Sequence, residues 1–304
     1  MARTRLLSLR APAGFAFEPT VRSHGWYLLT PFRWDAKSGT LHRTEYLDGT
    51  AADLAIRFSR GTIEVTTAHP TEVDRAALET RLRRMFQLDI DTEEFRRLAR
   101  QRETHLWVSA SGFGRLLCGA TRFEDAVKII ATTNTTWRQT MRMVELLVAR
   151  AGSASPSGAH AFPTPAQIAA IDPAALQEEC RLGYRAKTIH ALASGIEIGA
   201  IDLDALVDGS LDPKEQLERY RSLPGIGPYG AAHLMAMDGR HDFIAVDTEF
   251  RRFVRETYHG GRKVSDATLL RRYQRWGRWR YLAYWAELWR GAAPALVKFE
   301  SGIE

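Results

Sequence analysis

LPGIGPYGAAHLMAMDGRHDFIAVDTEFRRF, residues 223–253, contains a short turn rich in glycine and proline between two amphipathic segments. Gly225 and Gly227 stand two residues apart, and glycine permits both a positive φ and a close approach of the backbone to another molecule. Pro228 suits the first position of a helix, where its missing N–H has no partner to lose. The pattern predicts two helices joined by a tight turn whose free amides can bind a phosphate oxygen. Taken alone, a turn of this kind is also typical of an ordinary corner between helices.

Asp247 lies 20 residues after Gly227 and directly before the predicted helix TEFRRFVRET. An aspartate in this position is expected to cap the helix by accepting a hydrogen bond from a free backbone N–H. Because the helix N-terminus favours the ionised carboxylate, a capping aspartate is also a preformed anion. The capping role and a chemical role are therefore compatible.

The rest of the chain divides into a region with strand character and a helical region. Four segments in the first 90 residues are rich in aromatic and β-branched residues, and turns containing Gly39, Gly49 and Gly61 separate them, which is typical of an antiparallel meander. These predicted strands are 26–34, 40–47, 52–59 and 62–69. Apolar residues at helical spacing predict helices near 70–85, 92–102, 121–131, 135–150, 165–179, 184–198, 202–207, 213–222, 228–237, 248–257, 266–276 and 279–290. We therefore expect an α+β fold, with an antiparallel β-sheet domain with helices over 1–104 and an α-helical region over 105–304.

The charge of the chain is concentrated near its C-terminus. Hydrophobic residues (45%) and charged residues (26%) of the 304-residue chain are in ordinary proportion, which excludes a disordered or fibrous protein. The net charge is only +6, but residues 251–290 contain 11 basic and three acidic residues. Such a region either binds a polyanion, most simply nucleic acid, or forms a solvated helix surface. Charge alone leaves both interpretations open.

The two cysteines, Cys118 and Cys180, limit the kinds of site that the chain can form. They cannot build a disulfide framework or a site with four thiolate ligands, so we expect neither a metal centre nor an iron–sulfur cluster. No segment has the pattern of an export signal or of a membrane span. We expect a cytoplasmic monomer, associated with the nucleoid if the source is bacterial.

Several motifs in the correct order resemble one protein family. The string LPGIGPYGAAH and the VDT sequence around Asp247 resemble the helix-hairpin-helix, Gly/Pro-rich loop and aspartate of the HhH-GPD superfamily of DNA glycosylases. Residues 131–152 resemble the helix that in 8-oxoguanine DNA glycosylases places an asparagine beside the extruded nucleotide, and residues 180–193 resemble the helix entry whose arginine contacts the orphaned base. The predicted sheet is similar to the TATA-binding-protein-like domain of that branch and of bacterial 3-methyladenine DNA glycosylase II.

This resemblance covers residues 26–290 and implies an architecture. A TATA-binding-protein-like sheet is followed by an all-α glycosylase region, in which two helical subdomains flank an active-site cleft and the hairpin lies at 213–237. Double-stranded DNA containing a damaged base is the implied partner.

The resemblance also implies a role for each matching residue. Asp247 matches the family's catalytic carboxylate, which stabilises a sugar with oxocarbenium character and orients or deprotonates the attacking water. Asn134 matches the residue beside the extruded nucleotide, although it is alternatively a helix cap. Arg185 matches the residue that contacts the orphaned base, although it is alternatively a solvated arginine. A second arginine of the 8-oxoguanine enzymes is Gln139 here. The residues implied in DNA binding around the hairpin are Gly225, Ile226, Gly227, Tyr229, Gly230, Arg251 and Arg252.

Tyr229 is the departure from the family that bears on mechanism. The bifunctional branch has a lysine two residues after the second hairpin glycine, and this chain has Tyr229 there. A phenol cannot form a Schiff base with C1′ of the sugar. The resemblance therefore implies a monofunctional glycosylase that uses no cofactor and leaves an intact abasic site. The hairpin carbonyls of this family can hold a cation that bridges to phosphate, and we expect any such ion here to be structural.

Aromatic residues predict the base pocket. Tyr229 and His233 lie four apart on one helix, and Trp285 and Trp289 repeat that spacing on the last helix. In bacterial 3-methyladenine DNA glycosylase II the position of Tyr229 is an aromatic residue of the base pocket. Electron-rich rings suit a flipped purine that carries positive charge, so we favour alkylated purines as the substrate. Some of the eight tryptophans must nevertheless belong to the core.

Two other interpretations stay open. The match of 131–152 and 180–193 to the 8-oxoguanine branch favours an 8-oxoguanine glycosylase without the Schiff-base lysine. Against it, we place no glutamine in the last helix to recognise the purine edge. A non-catalytic helix-hairpin-helix DNA-binding protein would keep the hairpin glycines and the arginines, but it would not need Asp247.

Overall fold

A five-stranded antiparallel sheet forms the N-terminal part of the protein, in the order β1-β5-β4-β3-β2. The computed structural model describes the backbone of residues 3–69, 72–207 and 209–301, and side chains as far as Arg290. The strands are β1 (Thr4–Arg10), β2 (Phe32–Asp35), β3 (Thr40–Leu47), β4 (Thr50–Ser59) and β5 (Thr62–Thr67). Leu47 pairs with Thr50, and Ser59 pairs with Thr62, so Gly49 and Gly61 lie in two-residue turns at φ of 85° and 78°. The predicted meander is confirmed.

Two features of the sheet differ from the prediction. β1 was missed, because a strand at the edge of the sheet is defined by its distant partner, here β5. The segment predicted as a strand over 26–34 is a 3-10 turn at Gly25–Leu28, and β2 begins only at Phe32. The cause is tertiary, since the indole N–H of Trp26 donates a 2.7 Å hydrogen bond to Asp125 in the helical region. Aromatic composition alone could not reveal that contact.

Helices make up most of the chain after the sheet. They are α1 (Phe17–Val21), α2 (Arg75–Met85), α3 (Glu93–Arg100), α4 (Leu106–Ser111), α5 (Arg122–Thr132), α6 (Trp137–Ala151), α7 (Pro165–Ala169), α8 (Pro173–Glu179), α9 (Arg185–Glu197), α10 (Pro213–Arg221), α11 (Pro228–Met237), α12 (Thr248–His259), α13 (Asp266–Arg271) and α14 (Arg280–Ser301). The α+β prediction is confirmed. Pro70, the predicted start of α2, lies outside the described residues. No helix in the described ranges is both long and apolar enough to cross a membrane.

Three predicted helices are interrupted or shortened for local reasons, whereas the last one, predicted over 279–290, continues to Ser301. The helix predicted over 165–179 is two helices, because Asp172 caps a new helix whose first residue is Pro173. The helix predicted over 266–276 ends at Arg271, and a 3-10 turn with Gly277 at φ 57° follows it. Over the predicted 202–207, the helical part is a 3-10 turn at Ala205–Val207.

Helix α11 lies between two hydrophobic cores. The first core joins the sheet to α2, α5, α6 and α9, and the second joins α3 and α4 to α12, α13 and α14. Leu234 and Met235 of α11 belong to the first core, and Ala236 belongs to the second. All eight residues from Gly230 to Met237 are buried. The second helix of the hairpin is therefore enclosed from Gly230 onward, while its first residue, Pro228, is exposed.

A buried cluster of charges joins the sheet to the helical region. Arg43 of β3 donates two hydrogen bonds, of 3.0 Å and 2.7 Å, to the carboxylate of Glu124 in α5. Lys128, one turn further along α5, donates a 2.6 Å bond to the same carboxylate. Burial alone would raise the pKa of Glu124, but the charges of Arg43 and Lys128 outweigh burial and hold that pKa well below its usual range. These bonds set the position of α5, which packs against α11.

Candidate active site

The hairpin forms the predicted turn between α10 and α11. Gly225 has a φ of 72°, and a Cβ there would lie 2.2 Å from the Thr188 side chain, so both conformation and space require glycine. Gly227 differs from the prediction, because its φ of −85° is open to any residue and nothing lies within 4 Å of a Cβ there. The fold therefore gives no reason for glycine at 227. A partner that approaches the exposed backbone at the start of α11 would give one.

Asp247 caps α12 as predicted. Its side chain accepts a 2.7 Å hydrogen bond from the backbone N–H of Phe250. Burial raises the pKa of Asp247 above its ordinary value, and the neighbouring Glu249 raises it further, while the bond from Phe250 opposes the rise. The carboxylate is half-buried, so one oxygen is held by the helix while the group still faces a cavity.

That cavity, of about 120 Å³, joins the hairpin to the last helix. The residues that line it come from α11, from the segment that leads into α12, and from α14, and they are Tyr229, His233, Ala245, Asp247, Glu249, Tyr281, Tyr284, Trp285 and Leu288. The structure thus brings together four residues that the sequence singled out, Tyr229, His233, Asp247 and Trp285. Larger clefts elsewhere on the protein do not contain Asp247.

Aromatic rings form most of the cavity wall. The ring of His233 lies 4.7 Å from that of Tyr229 and 5.3 Å from that of Trp285. Tyr281 and Trp285 are stacked, with ring centroids 5.8 Å apart and an interplanar angle of 9°. The wall therefore presents π-faces and edges beside a carboxylate, which suits a flat, electron-poor group.

His233 and Tyr229 are both neutral at physiological pH. Burial, together with a smaller effect of the nearby His24, lowers the pKa of His233 to about 3. The hydroxyl of Tyr281 lies 3.1 Å from a ring nitrogen of His233. Burial raises the pKa of the Tyr229 phenol, and the Asp247 carboxylate adds to the rise. The negative charge of the cavity therefore resides on its carboxylates.

The N-terminal segment holds one side of this wall in place. The indole N–H of Trp285 donates a 2.9 Å hydrogen bond to the carbonyl oxygen of Ser23. His24 packs edge-on against the Trp285 ring at 6.3 Å and lies 2.6 Å, through Nε2, from the Leu117 carbonyl oxygen. The sheet domain thus contributes directly to the rigidity of the cavity.

Asn134 and Arg185 lie together at the turn after α5, close to Thr132, whose side chain hydrogen-bonds the Tyr229 phenol. Asn134 does not cap a helix, because Thr136 caps α6 through a capping box with Gln139. Instead Asn134 is exposed, with a φ of 47°. Arg185 is not a solvated arginine: it is only 7% exposed and donates to the backbone carbonyl oxygens of Thr133 and Asn134. Arg185 therefore shapes the turn that presents Asn134.

Tyr184 belongs to the same surface and was missed by sequence reasoning. Its side chain is 59% exposed, and its ring lies beneath the Arg185 guanidinium at 4.7 Å. Its hydroxyl lies 3.2 Å from the Thr133 hydroxyl and 3.4 Å from the Asn134 amide nitrogen. An exposed aromatic residue supported by an arginine can stack on a nucleic acid base.

Two of the predicted pocket residues, Asn134 and Trp289, do not line the cavity. Trp289 is half-buried and packs against both hydrophobic cores. The residues of α14 that line the cavity are Tyr281, Tyr284, Trp285 and Leu288, which share one face of the helix. That one-face pattern could have identified Tyr281, Tyr284 and Leu288. Glu249 carries no sequence signal beyond its position two residues after Asp247.

The basic residues of 251–290 are largely engaged within the protein. Arg251 pairs with Asp266, Arg252 with Glu249 and Glu256, Arg272 with Glu287, and Arg278 with Glu94. Arg251, Arg252 and Arg255 also line an open groove beside α12. The charge available to a polyanion is therefore smaller than the residue count suggests, but part of it borders the helix that Asp247 caps.

Among the described residues, no group of three or more His, Cys, Asp or Glu side chains is placed to hold a metal ion. The expectation of a structural cation on the hairpin carbonyls stays a prediction.

Comparisons with solved structures give the same fold over almost the whole chain. MBOgg1 in complex with a low-affinity DNA ligand is 18% identical, with a TM-score of 0.75 over 97% of this chain and 100% of that one. The 8-oxoguanine glycosylase/lyase of Clostridium acetobutylicum, in complex with double-stranded DNA containing cytosine opposite 8-oxoguanine, is 16% identical, with a TM-score of 0.74 over 97% and 99%. The 3-methyladenine DNA-glycosylase from Archaeoglobus fulgidus is 24% identical, with a TM-score of 0.71 over 95% and 98%. At these identities the likeness establishes the fold alone.

The sequence itself identifies the family. No curated protein matches it. Residues 127–278, half of the chain, match the HhH-GPD superfamily base excision DNA repair protein family. This match contains the hairpin, Asp247 and the turn around Asn134 and Arg185. The chain therefore belongs to the HhH-GPD superfamily of base excision DNA repair proteins.

Proposed function

We propose that this protein is a monofunctional DNA glycosylase that flips a damaged purine, preferentially an alkylated one, out of duplex DNA and hydrolyses its N-glycosidic bond. The observation that carries the proposal is the position of the Asp247 carboxylate in one cavity with the rings of Tyr229, Tyr281, Tyr284 and Trp285. A carboxylate beside an aromatic slot matches the two needs of this reaction, a place for the base and an anion for the sugar.

Asp247 is the proposed catalytic residue. Departure of the base leaves positive charge on the sugar, and a carboxylate about 4 Å away stabilises that charge by roughly 4 kcal/mol at an effective dielectric constant of about 20. The same group can orient the attacking water or accept its proton. The bond to Phe250 N–H holds the carboxylate in place before the substrate arrives.

The absence of a lysine supports a monofunctional mechanism. No lysine lines the cavity in the part of the chain that the structure describes. The position two residues after Gly227, where the bifunctional branch has a lysine, is Tyr229. Its phenol is neutral, because burial and the Asp247 charge raise its pKa, and a phenol cannot form an imine with C1′. Water is then the nucleophile, and the product is an intact abasic site.

The cavity wall supports an alkylated purine as the base. Aromatic faces attract a cationic ring by cation–π interaction, and stacking contributes about 1–3 kcal/mol per base. The neutral His233 adds no repulsion to a cationic base. An alkylated purine also leaves readily as a neutral base, so the site needs little beyond shape and one carboxylate.

The hairpin and its surroundings support binding to the DNA backbone. Gly227 leaves the start of α11 accessible, where backbone amides and the helix dipole favour a phosphate. The groove lined by Arg251, Arg252 and Arg255 also contains Thr248, the residue directly after Asp247. Contacts of this kind fix the position of the duplex and weaken as salt rises.

An 8-oxoguanine glycosylase is the second candidate. The turn in which Arg185 supports Asn134 favours it, because that turn resembles the part of the 8-oxoguanine enzymes beside the extruded nucleotide. A neutral oxidised guanine requires specific hydrogen bonds to be distinguished from guanine. Part of the hydrogen-bonding capacity of the cavity wall is already engaged within the protein, since the Tyr281 hydroxyl bonds His233 and the Trp285 N–H bonds Ser23.

A panel of defined-lesion duplexes tests the proposal. Each duplex carries one alkylated purine, 8-oxoguanine, uracil or no lesion, and is incubated with the protein and then divided into halves with and without hot alkali. We expect strand cleavage only in the alkylated duplex and only after alkali. Cleavage without alkali, or a protein–DNA adduct trapped by borohydride, would refute the monofunctional mechanism. Release of 8-oxoguanine alone would favour the second candidate, and DNA binding without any release would favour a non-catalytic protein.

A further inference from the structure

Glu249 brings a second carboxylate to the wall of the cavity, beside Asp247. It lies in the first turn of α12, two residues after the cap, and its side chain lines the same space of about 120 Å³. Neither an arginine nor a lysine lines that cavity within the described part of the chain. The titratable groups that face Glu249 there are Asp247 and the neutral Tyr229, His233, Tyr281 and Tyr284. The charged groups of the cavity are therefore both anionic.

The basic partner of Glu249 lies outside the cavity. Arg252 binds both oxygens of the Glu249 carboxylate, through Nε at 3.0 Å and through Nη2, and donates a 2.7 Å bond through Nη1 to Glu256. Arg252 is exposed and lines the groove on the outer side of α12. It divides its charge between two carboxylates and is accessible to DNA phosphate. Arg252 thus compensates Glu249 only in part.

We infer that Glu249 is a specificity-determining residue that, together with Asp247, makes the cavity select a cationic base over a neutral one of similar size. The inference rests on the proposed function. A positive ring between two carboxylates and several π-faces gains Coulomb attraction that a neutral ring does not. The same two anions oppose each other when the cavity is empty, as the contribution of Glu249 to the raised pKa of Asp247 indicates.

The molecule contains a matched control. Glu256 lies about two turns beyond Glu249 on α12 and pairs with the same Arg252, but it does not line the cavity. Glu249→Gln and Glu256→Gln therefore remove the same charge from the same helix and release the same arginine. The two variants differ in whether the lost carboxylate belongs to a residue that lines the cavity.

The experiment measures single-turnover release of 7-methylguanine, which is cationic in DNA, and of hypoxanthine, which is neutral, from otherwise identical duplexes. Glu249→Gln should lower the ratio of the two rates about fivefold relative to the wild type, as expected for loss of one half-exposed charge near the ring. Glu256→Gln should change the ratio less than about twofold. Thermal unfolding verifies that both variants are folded, and Glu249→Ser replaces Glu249→Gln if the latter is not.

The outcomes separate this inference from the function on which it rests. An unchanged ratio in the Glu249 variants, or an equal fall in Glu256→Gln, overturns the role of Glu249 while base release by the wild type still stands. A wild-type protein that releases neither base overturns the proposed function and this inference with it.

Discussion

Trp285 and Ser23 are 262 residues apart in sequence, and a 2.9 Å hydrogen bond joins the indole N–H of one to the carbonyl oxygen of the other. Trp285 is part of the cavity wall, whereas Ser23 precedes the 3-10 turn that leads into the sheet. The sheet domain is therefore part of the framework of the site. It positions the ring against which a base would stack.

Trp285→Phe tests this relationship, because it keeps an aromatic ring and removes the hydrogen bond. One such bond contributes about 1 kcal/mol, so we expect base release to slow about fivefold while affinity for undamaged DNA is unchanged. Single-turnover rates and fluorescence anisotropy measure the two quantities. Trp289→Phe, outside the cavity, should have the smaller effect, and an equal effect would contradict this account of the wall.

Asp247→Asn should abolish base release without unfolding the protein. Asparagine also caps helices well, so α12 keeps its start. Loss of the charge removes about 4 kcal/mol of transition-state stabilisation, a rate decrease of roughly a thousandfold. DNA binding should persist, and a gel-shift experiment alongside the release measurement checks this. Release at the wild-type rate would refute the catalytic assignment.

The same variant should be more stable than the wild type at neutral pH. The pKa of Asp247 is raised in the folded state, mainly by burial. Its contribution to stability is therefore complete below the unfolded pKa and is lost as pH rises through the folded value. Asparagine does not ionise, so the melting temperature of Asp247→Asn should exceed that of the wild type at pH 7. The difference should vanish near pH 3, and scanning calorimetry at the two pH values would show it.

Alanine substitutions at the two hairpin glycines should have different effects, one on the stability of the protein and the other on its affinity for DNA. Gly225→Ala forces a positive φ on alanine and a contact of 2.2 Å with Thr188, so we expect a loss of about 1–3 kcal/mol in the free energy of unfolding. Gly227→Ala meets no atom within 4 Å and keeps an ordinary φ. It should melt like the wild type but bind DNA more weakly. Urea unfolding and anisotropy distinguish the two, and normal DNA affinity in Gly227→Ala would count against a phosphate at this turn.

Glu124→Gln should destabilise the protein by about 3–5 kcal/mol, because it leaves Arg43 and Lys128 buried without their shared carboxylate. The pKa of Glu124 is lowered in the folded state. Its contribution is therefore complete above the ordinary value of 4.5 and is lost as pH falls below it. Urea titrations at pH 7 and pH 3 should show a larger difference between wild type and variant at pH 7. A constant difference would mean that the pair is not ionised.

Local patterns were enough to predict the meander turns, most helix bounds and the hairpin. The turns at Gly49 and Gly61 and the cap at Asp247 depend on neighbours within a few residues. Residues 25–28 and β1 depend on partners far along the chain, and composition does not encode those partners. The residues of the cavity also divide into those that local sequence patterns indicate and those that depend on distant contacts. Tyr229 and His233 were found because they share one helix with the hairpin, whereas Glu249 and Ser23 reach the site only through tertiary packing.

The burial of α11 from Gly230 to Met237 has a further consequence for energetics. Because α11 packs into both hydrophobic cores, it cannot rotate or slide without opening both of them. The side chains that it carries, Tyr229 and His233, therefore keep their orientation in the free protein. The conformational entropy of ordering these side chains is then lost when the protein folds and not when DNA binds. Interaction energy from the DNA backbone remains available to unstack a nucleotide, which requires a few kcal/mol. Because the cavity is preorganised, the main conformational change on binding is the unstacking of the nucleotide in the DNA.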